Sequence, residues 1–178
     1  MEKTTPRRSF LEKSLKASVA LAIGSSTMPA MAFENGNHKT SRTNLRTLPF
    51  GKYVSVEGTI FEKDGRTPLS NATVEVWHLS PGSETIGHQG ELKTDAAGAY
   101  HMLTDIPNRE FGKHHKIHFK VSRDGDSYTT ELSFNGYGAY ISGKHWEENR
   151  QLEDHLLFPT HETFLNKTTI QFNLTFNY

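Results

Sequence analysis

Short runs that alternate apolar and polar residues recur along most of this chain, each closed by a Gly, Asn or Asp turn, and this punctuation leaves little choice of fold class. From Lys52 to Phe61, Val54, Val56, Gly58 and Ile60 share one face, because successive strand residues point to opposite sides. Lys63-Asp-Gly-Arg66 supplies a turn before a second strand over Thr73 to His78. Asp95-Ala-Ala-Gly98 turns the chain into Ala99 to Thr104, which Pro107-Asn108 ends, and Arg123-Asp-Gly-Asp126 makes a further turn. Tyr128, Thr130, Leu132 and Phe134 then alternate, as do Ile170, Phe172, Leu174 and Phe176. Only Gly143 to Leu157 breaks the pattern: Trp146, Arg150, Glu153 and Leu157 stand at spacings that allow one short helix or an irregular excursion. With no helices between the strands, the expectation is an all-β, two-sheet β-sandwich with one short helical excursion, not a parallel α/β fold. There is no internal repeat.

The first 32 residues stand apart from that pattern. Pro6-Arg-Arg-Ser-Phe-Leu-Glu-Lys13 precedes a modestly apolar run from Ala17 to Ala32, and Ala30-Met31-Ala32 fits a small-residue cleavage site. The run is short, rich in Ala, Ser and Gly, and interrupted by Pro29, so it suits a cleaved signal better than a membrane-spanning helix. Paired Arg7 and Arg8 with Phe10 and Leu11 resemble the twin-arginine signals that export folded proteins, which implies a periplasmic or secreted product with no membrane attachment after cleavage. Residues 33–47 are polar and read as a flexible leader, leaving 48–178 as one sandwich domain. The chain has 20 basic and 20 acidic residues, but 1–32 hold five basic and two acidic ones, so the remainder carries 15 and 18. A mildly acidic domain without a basic run offers no electrostatic basis for nucleic-acid or anionic-membrane partners. The absence of cysteine excludes disulfides, thiolate ligands and a cysteine nucleophile.

Chemistry concentrates in Gly112-Lys-His-His-Lys-Ile-His-Phe-Lys-Val121. In extended geometry His114, Lys116 and His118 share one face, opposite Ile117, Phe119 and Val121. A metal site from this cluster would use His118 and His114 with Glu110 as carboxylate, imitating a two-histidine, one-carboxylate centre. Residues i and i+4 of a strand lie roughly 13 Å apart, so the chain would have to bend between Gly112 and His115 for His114 and His118 to share an ion. The bland alternative is a solvated basic strand face.

Four segments in order, Val56-Glu-Gly-Thr-Ile60, Lys63-Asp-Gly-Arg-Thr-Pro-Leu69, Asn71-Ala-Thr-Val-Glu-Val-Trp-His78 and Thr94-Asp-Ala-Ala-Gly-Ala-Tyr100, together with Ile117-His-Phe-Lys-Val121, resemble the intradiol ring-cleavage dioxygenases. The resemblance covers most of Val54 to Phe134. It implies a non-haem ferric iron held by two tyrosinates and two histidines, acting on catechol-like aromatics. Residue by residue, one family histidine falls on His118 and the other on Lys116. The tyrosines fall in His78 to Thr94, which contains none, and at about Glu110 or Phe111. The supporting arginine falls on Lys113, which keeps the charge without the planar fork. Two functions follow as expectations: an iron-dependent dioxygenase-like enzyme with a remodelled set of ligands, or a metal-free module holding a small aromatic or phenolic molecule through Lys113, Lys116 and His118.

Of the other candidates, His78 ends a strand and reads as an extra ligand, a substrate contact or a hydrogen-bonding strand end. His88, His101, His145, His155 and His161 are too scattered to pair by spacing and read as surface or structural. Trp77, Tyr100 and Phe119 read as core aromatics. Phe134-Asn-Gly-Tyr-Gly-Ala-Tyr140 reads as a connecting loop, with a phenol-bearing lip as the alternative. No Gly-x-Ser-x-Gly nucleophile motif occurs.

Overall fold

The computed structural model describes residues 41–110 and 114–178, all within the unit His38–Tyr178. Two sheets face one another. In the first, β1 (Arg42–Asn44), β5 (Ala99–Asp105), β2 (Tyr53–Phe61), β11 (Lys167–Gln171) and β10 (Thr160–Phe164) lie side by side, and β12 (Leu174–Thr175) continues beside β2. In the second the order is β4 (Ile86–Lys93), β3 (Thr73–Leu79), β7 (His114–Arg123), β8 (Asp126–Phe134) and β9 (Ala139–Ile141), with β6 (Arg109–Glu110) beside the start of β7. This is the expected all-β sandwich.

Alternation in the chain becomes the two sides of each sheet. Val54, Val56, Ile60, Tyr100, Met102 and Ile170 of the first sheet are buried against Val74, Val76, Ile117, Phe119, Val121 and Leu132 of the second. Phe119 sits at the centre, its ring meeting the Phe172 ring at 5.3 Å and the Tyr100 ring at 6.1 Å, both edge-on. The Tyr100 hydroxyl donates to the Phe172 carbonyl at 2.7 Å. That carbonyl is where Gly58 is required: a Cβ on Gly58 would lie 2.0 Å from it, so only glycine lets the chain just after β11 pass so closely. The C-terminal alternation from Ile170 to Phe176 is therefore divided into β11 and β12. Between them Asn173 turns its side-chain oxygen to the Thr59 amide at 2.9 Å.

Within the stretch expected as a leader over 33–47, Arg42–Asn44 pair in parallel with His101–Leu103 of β5. The Thr47 and Leu48 amides then bond the buried Asp105 carboxylate at 2.7 and 3.1 Å. Polar composition misled here because an edge strand can be stabilised by backbone and side-chain hydrogen bonds alone.

The excursion is α1 (Gly143–Asn149), followed by one 3-10 turn at Asp154–Leu156. Ser142 caps α1 by accepting from the His145 amide at 3.1 Å. Its inner face is held by polar contacts: His145 Nδ1 lies 2.7 Å from the Tyr128 hydroxyl, and Asn149 bonds the His145 carbonyl, Thr175 and Asn177. No helix among the described residues is long and apolar enough to cross a membrane.

Candidate functional site

The histidine-rich strand arranges its faces as its alternation requires. Ile117, Phe119 and Val121 are fully buried, while Lys116, His118 and Lys120 look out from the second sheet. Each outward group meets a partner from a neighbouring strand. Trp77 and His118 are cross-strand partners, and their rings stack at 5.5 Å with 12° between planes. His118 Nε2 lies 3.0 Å from Glu110 Oε1, and Lys116 Nζ lies 2.9 Å from Glu131 Oε1. Lys120 Nζ reaches Glu75 at 2.7 Å. The face is thus a lattice of alternating charges around one stacked pair of rings. Partly exposed ion pairs of this kind each contribute about 0–1 kcal/mol.

Of the candidate ligands, Glu110 and His118 are brought together, although Glu110 sits in register opposite His114, because its carboxylate extends along β7. His114 does not join them: its Nε2 lies 3.4 Å from the Asn135 amide nitrogen, and its ring lies 5.7 Å from that of Tyr140 on β9. The loop after Phe134 therefore does bring one phenol beside a histidine. His115, the residue that a bend would swing in, instead bonds the Pro107 carbonyl through Nδ1 at 2.7 Å, and burial lowers its pKa. Lys113 lies outside the described residues. Among the described residues no three His, Asp or Glu side chains converge as the donors of one ion.

Two readings need correction. Trp77 is not a core aromatic: it is half-buried on the outer face, which the alternation of buried Val74, Val76 and His78 already implied. Lys116 is not a freely solvated cation, since Glu131 bonds it through both oxygens, at 2.9 and 3.1 Å.

A second cluster lies inside the sandwich. His78 and His88 are cross-strand partners on β3 and β4, stack at 4.7 Å, and are both buried. His78 Nε2 meets Thr104 Oγ1 at 2.6 Å and its Nδ1 meets the Leu79 carbonyl at 2.7 Å. Burial pushes the His78 pKa down to about 4, outweighing that carbonyl. His88 Nε2 lies 3.1 Å from the fully buried Asp105. His78 carried a signal in its alternation with Val74 and Val76. His88 carried none, because Ile86-Gly-His-Gln-Gly90 lacks alternating apolar residues.

No family model and no curated protein matches this chain. Solved structures do. The dioxygenase domain of a dioxygenase–carbohydrate-binding protein fusion from the cellulolytic bacterium Streptomyces sp. SirexAA-E superposes with a TM-score of 0.56 at 19% identity, over 86% of this chain and 97% of that one. An intradiol ring-cleavage dioxygenase from Tetranychus urticae gives 0.56 at 13% identity, over 80% and 89%. Hydroxyquinol 1,2-dioxygenase from Pseudomonas putida DLL-E4 gives 0.52 at 15% identity, over 93% and 70%. The fold is that of the intradiol dioxygenases. At these identities the likeness extends to the arrangement of strands, and the side chains of the site must be judged on their own chemistry.

On that chemistry the residues around His118 do not fit the ferric centre that the sequence resemblance implies. Beside the imidazole of His118 stand a carboxylate, Glu110, and an ammonium, Lys116, and neither a phenolate nor a second imidazole. A protonated amine has no lone pair to donate. Phe111, Gly112 and Lys113, which lie outside the described residues, carry neither a phenol nor an imidazole.

Proposed function

We propose that this chain is an exported protein of the intradiol dioxygenase fold that holds a small phenolic or other aromatic molecule without a resident metal, on the outer face around Trp77, His118 and Lys116. The observation that carries this reading is the mutual satisfaction of the groups around His118: Glu110 occupies its Nε2 and Glu131 neutralises Lys116. Such a set binds by stacking and hydrogen bonding. The indole of Trp77 offers a partly exposed aromatic surface, and the hollow beside it is lined by Glu75, Val76, Trp77, Gln89, Gly90 and Glu91. Its carboxylates and amide suit the hydroxyl donors of a phenol, while an aromatic ring covers the indole. Export is supported by the paired arginines and the small-residue run before Phe33.

The competing reading is an iron-dependent dioxygenase-like enzyme using His118, Glu110 and His114, of which the fold brings the first two together. Metal analysis of protein exported by its native host, with oxygen uptake on catechols, separates the two. The proposal expects no stoichiometric metal and no oxygen uptake, and retention of a phenolic ligand that is lost in Trp77→Ala. Iron at one equivalent that disappears in His118→Ala would overturn it. The Lys116→His variant is expected to gain metal affinity under either reading, and unchanged metal content in both variants would remove this strand as the metal site.

A further inference from the structure

The interior cluster holds an arrangement that the absent Gly-x-Ser-x-Gly motif gave no reason to expect. Asp105 is fully buried at the end of β5, and its Oδ2 accepts from the Thr47 amide at 2.7 Å, the Thr47 hydroxyl at 2.8 Å and the Leu48 amide at 3.1 Å. Burial opposes its charge, but these bonds and that from His88 hold its carboxyl below the usual range. The Asp105 carboxylate, 3.1 Å from His88 Nε2, orients a proton on that nitrogen, and in the neutral ring of that tautomer Nδ1 carries the lone pair. Ser80 Oγ lies 3.3 Å from that Nδ1.

Two independent features maintain this line. The stacked His78 ring, anchored at both nitrogens, holds the imidazole plane of His88. Gly87 makes room for the hydroxyl, since a Cβ there would lie 2.2 Å from Ser80 Oγ. Ser80 is half-buried at the outer end of the line, while His88 and Asp105 are shielded behind it. A hydroxyl within reach of a base whose other nitrogen is fixed by a carboxylate is the arrangement that activates a serine.

We propose that Ser80, His88 and Asp105 make Ser80 a nucleophile toward small activated esters. As the bond from Ser80 Oγ to the acyl carbon forms, the hydroxyl proton passes to His88 Nδ1. The bond to the leaving alcohol then breaks, and that alcohol takes the proton. Water repeats the sequence on the acyl-serine, releasing a carboxylic acid and restoring Ser80. Asp105 is a positioning residue, fixing which imidazole nitrogen faces the serine. No residue of this line belongs to the outer-face site, so the two readings stand or fall separately.

The test uses the whole chain with p-nitrophenyl acetate and a fluorophosphonate, and the adduct is located by peptide mass. The expected result is one equivalent on Ser80 and none on Ser83, which bonds Thr85 instead. Labelling should vanish in Ser80→Ala and slow by about a hundredfold or more in His88→Gln, the usual contribution of a positioned base. Asp105→Asn should displace the pH profile of labelling, which a purely structural role would not do. Gly87→Ala, at an exposed position, should slow labelling while leaving the circular dichroism spectrum unchanged, and it decides the matter if His88→Gln fails to fold. No adduct on Ser80, equal labelling of Ser83, or an unchanged rate in folded Gly87→Ala would overturn the proposal.

Discussion

Acidification from pH 6.5 to 4 is expected to remove much of the stability of this domain, through His78 and His145. Both rings are fully buried, and burial depresses each from 6.5 to about 4. For His145 burial outweighs the raising effects of the Glu148 charge and the Leu156 carbonyl. A histidine whose pKa is lower folded than unfolded leaves the folded chain with fewer bound protons between the two values. Stability is therefore complete above 6.5 and falls as pH drops toward 4. Each group accounts for roughly 3 kcal/mol across that window, and the pair for roughly 6–7, against the about 5–15 kcal/mol that holds a typical domain. His101 and His115, both lowered chiefly by burial, act in the same direction. Asp105 adds a further loss only as pH falls through the carboxylate range, since its folded value is also depressed. Urea unfolding measured at half-unit intervals from pH 7.5 to 4 reads the effect as the slope of ΔG against pH. In that window the two rings together contribute roughly 3 kcal/mol per pH unit. In His78→Gln and His145→Gln the slope should fall by about half of that contribution each. A flat ΔG over this range, or a slope unchanged in the double variant, would refute the account of these two rings.

Other perturbations test the packing and the outer face. Phe119→Ala should destabilise the domain by about 3–5 kcal/mol in the same unfolding assay, because the ring is central and its neighbours Tyr100 and Phe172 cannot close the gap. Gly58→Ala should cost more than about 2 kcal/mol, since the clash is with the Phe172 backbone carbonyl and not with a movable side-chain end. Lys116→Met should change stability by less than about 1 kcal/mol, as expected for a partly exposed ion pair.

Legibility in the sequence followed how each residue is stabilised. The strands β2, β3, β5, β7 and β8 were readable because one face of each is buried and their alternation records it: Val54 with Val56, Val74 with Val76, Ile117 with Phe119. The edge strands β1, β9 and β10 were not, since Arg42–Asn44, Ala139–Ile141 and Thr160–Phe164 bury little apolar surface and depend on backbone pairing with one neighbour. Strand β4 escaped for a related reason. Its inward residues include His88, and Gly87 and Gly90 interrupt it, so the pattern that marks a half-buried strand is missing. The C-terminal excursion was legible as an interruption only, because α1 docks through His145 and Asn149, and polar docking leaves no apolar stripe at helical spacing.

The two histidine clusters explain why a site is harder to read than a fold. Spacing along β7 correctly puts Lys116 and His118 on one face, yet whether an imidazole is available is decided by Glu110 and Glu131, which come from β6 and β8. The nearness of His78, His88 and Asp105 depends on β3, β4 and β5, with the first two in one sheet and the third in the other. No spacing rule can encode an approach between sheets, because it is set by the core that presses them together. Strand order therefore fixes where polar groups can meet, and the side chain at each position decides what happens there. The ammonium of Lys116 and the imidazole of His118 set the chemistry of the outer face, while Ile117 and Phe119 stay in the core on either side of His118. That separation between the inward and outward residues of one strand lets one set of side chains hold the fold while another sets the chemistry of the surface.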